Sequence, residues 1–213
     1  MAEAYIFDLD GTLLDSMSMW EEIDEKFLSK RGFEVPDDYC GAIAAMGFAE
    51  CAQYTKERFG LSESCDEIMS EWNAMACDEY KSNIMLKPHA RELLKKLKAQ
   101  GARLGVASTN HRHIFLPTLE RTKILEFFES DALISIDDVT TGKSSPEIYL
   151  KCAQRLGATP KECVVLEDTV QGIRTALLAG FRVIGVLDEH WADFHEEISK
   201  LCEKVVSDLS ELL

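Results

Sequence analysis

Four short apolar runs, at Ala102–Ala107, Ala132–Ile136, Cys163–Leu166 and Val183–Leu187, alternate with segments of helical character. These segments lie near His111–Glu120, Pro146–Leu156, Val170–Ala179 and Trp191–Lys204. Such alternation favours parallel strands joined by helical crossovers, with both faces of the sheet covered. The opening run Tyr5-Ile6-Phe7 has the same strand character, yet about 70 residues of helical pattern separate it from the rest. In that block Trp20, Ile23, Phe27 and Leu28 recur at helical spacing up to Gly32. Ala44–Phe59 and Cys65–Tyr80 read as further amphipathic helices, with Gly60 and Ser62 between them. Pro88 then opens a helix with Leu93, Leu94 and Leu97 on one face and a stop at Gly101. The expected fold is α/β: a doubly wound, Rossmann-like parallel-sheet core of residues 1–15 and 87–213, with an all-helical cap, 16–86, inserted into it.

In open parallel sheets, ligands gather at the carboxyl ends of the strands. The first strand ends in Asp8 and Asp10, the second in Ser108, Thr109 and Asn110. Lys143 follows the third, and the fourth ends in Glu167 and Asp168. Asp8 and Asp10, spaced i and i+2, aim the same way on an extended backbone, and Gly11 permits a sharp turn after them. Two such carboxylates raise each other's pKa unless a cation joins them, and a hard divalent ion suits their oxygens. Each residue also has an ordinary reading. Asp8-Leu9-Asp10-Gly11 alone could be an acidic turn, Ser108 a helix cap, Lys143 an exposed loop cation, and Asp168 or Thr169 an N-cap. An EF-hand loop is excluded, because its glycine stands sixth and Gly11 stands fourth. A nucleotide P-loop at Gly142-Lys143-Ser144 is excluded too, since position 137 is Asp rather than Gly.

A net charge of −15 argues against nucleic acid or an anionic membrane as partner, because both require cationic surface. Seven scattered cysteines without a Cys-x-x-Cys pair suggest buried thiols in a reducing compartment rather than disulfides or zinc. No signal peptide and no membrane span is expected. A cytoplasmic monomer is the expectation. His89, His111 and His113 are expected at solvated positions.

Taken together, Asp8-Leu9-Asp10-Gly11-Thr12, the Ser108 that closes Gly105-Val106-Ala107-Ser108, Lys143 in Gly142-Lys143-Ser144-Ser145-Pro146, and Glu167-Asp168-Thr169 closely resemble the four motifs of the haloacid dehalogenase superfamily. The resemblance runs the whole length of the chain. Its small cap and Glu-Asp motif are most similar to the β-phosphoglucomutase-like branch. It implies a phosphatase with Mg2+ as cofactor and a small phosphorylated metabolite as substrate. By that resemblance Asp8 is the nucleophile, Asp10 the general acid and then base, and Ser108 and Lys143 phosphate-facing catalytic groups. Asp8, Asp10 (through its carbonyl), Glu167 and Asp168 are the implied metal ligands. Leu9, Gly11, Thr109 and Asn110, with Trp20 and Phe48 from the cap, are the implied substrate contacts.

Departures from the family narrow the reaction. Halide-releasing members lack the second aspartate, and this chain has Asp10. Phosphonoacetaldehyde hydrolases use a cap lysine, and neither Lys26 nor Lys30 stands in a matching place. The mutases carry a histidine where this chain has Trp20, and a cap arginine that Ala44-Ala45-Met46-Gly47-Phe48 does not supply. Hydrolysis is therefore expected, with a sugar phosphomutase as the alternative and a silent binding or regulatory protein as a third reading. Ser144 replaces the usual proline of the third motif, and Pro146 is retained.

Overall fold

The structure, a computed structural model, describes residues 3–43, 46 and 48–213. Its strands are β1 (Ala4–Phe7), β2 (Leu14–Asp15), β3 (Met85–Leu86), β4 (Arg103–Ala107), β5 (Leu133–Ile134), β6 (Cys163–Glu167), β7 (Arg182–Val186) and β8 (Lys204–Val206). Its helices are α1 (Met17–Ser29), α2 (Tyr39–Ile43), α3 (Phe48–Phe59), α4 (Cys65–Ser82), α5 (Ala90–Ala99), α6 (Arg112–Arg121), α7 (Glu147–Arg155), α8 (Val170–Leu178) and α9 (His195–Leu201). Six strands form one parallel sheet in the order β5-β4-β1-β6-β7-β8, and β2 pairs antiparallel with β3. Helices α1 to α4 form the helical cap.

The sheet is buried on both faces because its strands are apolar on both. From β1 and β6, Phe7, Val164 and Leu166 join a core shared with α5 and α6. Ala4, Ile6, Cys163 and Val165 join a second core with α7 and α8. Three leucines of α5, Leu93, Leu94 and Leu97, carry its buried face, each worth about 1.5–3 kcal/mol on full burial. All seven cysteines are free thiols. Among the described residues no helix is long and apolar enough to cross a membrane.

The doubly wound architecture agrees with the alternation in the sequence; several elements differ. The helix expected over 44–59 begins at Phe48; Ala44, Ala45 and Gly47 lie outside the described residues, and α2 precedes them. The helix after Pro88 starts at Ala90, because His89 sits in the left-handed region at φ 62°. The helix expected over 191–204 resolves into a 3-10 turn, Glu189–Phe194, the short α9, and then β8, which pairs with β7 at the sheet edge. Three residues are too few to register as a strand in sequence, and β2 and β3, of two residues each, are shorter still. That short pair lies where the chain leaves the sheet for the cap and returns from it.

Candidate active site

Backbone pairing fixes Asp8. Its N–H donates to Leu166 O at 3.0 Å, so the residue is still held by the sheet as its side chain leaves the strand end. The chain then turns tightly, with Leu9 O accepting from the N–H groups of Thr12, Leu13 and Leu14. Gly11 occupies this turn at φ 71°, and a Cβ there would overlap Asp168 Oδ2. On the neighbouring strands, Ser108 N–H donates to Ile134 O at 3.0 Å, and Glu167 closes β6. Rigid strands thus deliver Asp8, Ser108, Glu167 and Asp168 to one edge.

Lys143 comes from the loop before α7. Its Nζ lies 2.5 Å from Asp8 Oδ1 and 2.8 Å from Glu167 Oε2. Asp8, Glu167 and Asp168 are buried, with ligand oxygens within 4.8 Å of one another. Burial pushes the Asp8 carboxyl well up; Lys143 opposes this, while Glu167, Asp168 and Asp10 add to it. Burial pulls the Lys143 ammonium down, but Asp8, Glu167 and Asp168 outweigh it and leave the group raised and charged. Both partners of one ion pair are therefore raised: burial lifts the carboxyl, and three carboxylates around one ammonium lift the amine. Burial and Glu167 likewise push Asp168 up to about 7, against Lys143. A hard-oxygen donor set with this surplus of negative charge fits a divalent metal ion.

Glu167 is fully engaged. Its Oε1 accepts from Thr169 N–H at 3.2 Å and Thr169 Oγ1 at 2.6 Å; its Oε2 accepts from Tyr149 OH at 2.9 Å and from Lys143. Four donors meet the roughly four lone-pair sites of a carboxylate. A Cβ at Gly172 would overlap Glu167, so α8 approaches this closely only through glycine. Thr169 is the cap of α8, accepting from Gly172 N–H at 3.2 Å, which leaves Asp168 free of that duty.

Asp10 is held separately. Its Oδ1 accepts from Ser16 Oγ at 2.5 Å and from Tyr80 OH, and its Oδ2 from Asn110 Nδ2 at 2.7 Å. Asn110 also donates to the Tyr80 oxygen at 2.9 Å, closing a ring. Burial and the neighbouring Asp10 hold the Tyr80 phenol well above its usual range, so it stays a donor. Ser108 is not the cap of α6. Its Oγ accepts from Asn110 N–H at 3.1 Å, leaving the hydroxyl proton for another acceptor.

Other sequence-derived candidates divide. The Leu9 side chain is core, and only its backbone is near the turn. Thr109 is exposed, near the place where a Gly142 Cβ would sit, beside the loop that carries Lys143. Trp20 and Phe48 meet edge to face at 6.0 Å in the cap, and Phe48 is 39% exposed. A cavity of about 520 Å³ opens between α4 and the start of α6, with Phe48, Asp66, Ser70, Asn73, His111 and His113 in its lining. His89 and His111 are partly exposed and pair with Asp208 at 2.7 Å and Asp137 at 2.5 Å. Ser16, Tyr80, Thr12, Tyr149 and Trp191 were not singled out in the sequence as site residues. Of these, Thr12 stands in the first motif itself, and Trp191 follows β7 at the same sheet edge.

A cluster of buried acids around one lysine, on the carboxyl edge of a parallel sheet, marks the chain as an α/β enzyme. The family model for haloacid dehalogenase-like hydrolases matches residues 5–186, and the chain belongs to that family. It is 30% identical to hexitol phosphatase B of Escherichia coli (strain K12) over 86% of this chain and 82% of that one. It is also 30% identical to the bifunctional riboflavin kinase/FMN phosphatase of Arabidopsis thaliana over 87% of its own length, and spans 48% of that longer protein. The crystal structure of a putative β-phosphoglucomutase from Thermotoga maritima superposes with a TM-score of 0.77 at 25% identity, covering 99% of this chain and 96% of that one.

Proposed function

We propose that the chain is a Mg2+-dependent phosphatase that hydrolyses a small phosphate monoester through an aspartyl-phosphate on Asp8. The observation that carries this reading is the Asp8–Lys143 pair at 2.5 Å inside the buried acid cluster. An amine bound to a carboxylate nucleophile offsets charge as that carboxylate meets a phosphate. Mg2+ would be held by the Asp8 and Asp168 carboxylates and the Asp10 carbonyl, and would supply charge neutralisation for the phosphoryl group. Glu167, whose oxygens are already engaged, serves by fixing Lys143.

In the first step a bond forms from an Asp8 oxygen to phosphorus as the bond to the leaving oxygen breaks. Asp10 gives its proton to that oxygen. In the second step Asp10 takes a proton from the water that attacks phosphorus, and Asp8 is released with inorganic phosphate. Ser108 donates its free hydroxyl proton to a phosphate oxygen. Residues 16–86 act as the cap over residues 1–15 and 87–213, and the organic part of the substrate occupies the cavity beside Phe48 and His111. No lysine or arginine lines that cavity among the described residues, which favours an uncharged organic part over a second phosphate.

The test is Mg2+-dependent release of inorganic phosphate from p-nitrophenyl phosphate and from a panel of sugar phosphates, polyol phosphates and nucleotides. Asp8→Asn should lower release by at least about 10³-fold without loss of fold. Unchanged turnover would remove Asp8 as nucleophile. The structural likeness to a putative β-phosphoglucomutase keeps mutase action as a second reading. Glucose 1-phosphate isomerised faster than it is hydrolysed, in the presence of its bisphosphate, would favour it.

A further inference from the structure

We propose that Trp191 is a positioning residue for Asp168, an assignment that rests on the metal-binding reading of Asp168 above. Asp168 is 1% exposed, and two donors reach it from different parts of the chain. Trp191 Nε1–H donates to Oδ2 at 2.8 Å, and Thr12 Oγ1 donates to Oδ1 at 3.3 Å. One donor on each oxygen blocks rotation of the carboxylate plane and leaves each oxygen a lone pair for a cation. Groups that orient a metal ligand in this way tune affinity without touching the metal.

The indole is itself held from several sides. Asp188, 6% exposed, pairs with Lys87, the residue that follows β3. Its Oδ1 accepts from His190 N–H at 2.8 Å, and its carbonyl is 2.7 Å from His195 Nε2. His190 Nδ1 lies 3.3 Å from Glu21 Oε1 on α1, and its ring meets Trp191 edge to face at 4.9 Å. Phe194 also meets the indole edge to face, at 6.1 Å. The turn after β7 thus joins the cap and the return strand to the acid that would grip the metal.

The experiment is calorimetric titration of Mg2+ into the intact protein and into Trp191→Phe, which keeps a ring but removes the N–H. The dissociation constant for Mg2+ should rise about 10-fold or more, and the Mg2+ concentration for half-maximal activity should rise with it, while KM for substrate stays within about twofold. If Trp191→Phe does not fold, 3-benzothienylalanine at position 191 removes the N–H while keeping the two-ring shape. Equal Mg2+ affinity in the intact protein and the N–H-free variant overturns the assignment. If the intact protein binds no Mg2+, the metal reading falls, and the assignment with it.

Discussion

Lys143→Met tests the electrostatics of the site without reference to any substrate. At a pH above the raised titration of Asp8 and Asp168, these two acids and Glu167 bring three negative charges and Lys143 one positive, so the buried cluster carries a formal −2 and becomes −3 in the variant. The Lys143 side chain is 10% exposed, that of Asp8 5% and that of Glu167 0%, so water offers little screening. Removing one partner of a buried pair typically costs about 3–5 kcal/mol, because the remaining charge is left uncompensated. Methionine fills most of the lysine stem, which keeps any cavity contribution small. For a chain of this size each kcal/mol moves the melting temperature by about 2–4 °C, so the variant should melt about 6–20 °C lower in a metal chelator. Added Mg2+ should recover part of the loss. Adding Asp8→Asn returns the cluster to −2, so the double variant should be more stable than the sum of the singles by about 1–3 kcal/mol. Differential scanning calorimetry in chelator, with and without excess Mg2+, reads all three. A Lys143→Met protein that melts with the wild type, or a strictly additive double variant, would refute this account of the cluster.

Tyr80→Phe removes one of the three donors on Asp10. On an alkyl phosphate it should lower kcat about 10-fold with KM little changed, since a hydrogen bond to a charged group is worth about 1.5–3 kcal/mol and Tyr80 reaches Asp10 rather than substrate; a rise in KM alone would contradict this. Asp24, in α1, is raised from its ordinary 3.8 to about 7, by burial against the opposing Tyr39 hydroxyl, with Glu21 adding to the rise. Between those values the folded protein holds a proton that the unfolded chain has lost. The stability contributed by this group is therefore full below pH 3.8 and lost as pH rises toward 7. Asp24→Asn should accordingly be more stable than the wild type at pH 8, by about 1–2 kcal/mol after allowance for partial exposure, and show no such gain near pH 4. Urea unfolding at the two pH values decides it, and an equal offset at both would refute the assignment.

The sequence alone carried the architecture and the strand-end acids. Periodicity and strand ends are local properties: Tyr5-Ile6-Phe7 followed by Asp8 and Asp10, or Cys163–Leu166 followed by Glu167 and Asp168, can be read without knowing what packs beside them. Very short strands were beyond that reading, because two or three residues show no period, and the Lys204–Val206 strand exists through its pairing with β7. Tertiary structure alone decided how the acids divide. Asp8 takes the lysine, Glu167 is saturated by Thr169, Tyr149 and Lys143, and Asp10 is held apart by Ser16, Tyr80 and Asn110. Tyr80 lies 70 residues from Asp10, and Trp191 lies 23 from Asp168. A hydrogen bond depends on distance and direction between atoms that only the packed chain brings together, so no spacing along the sequence announces it.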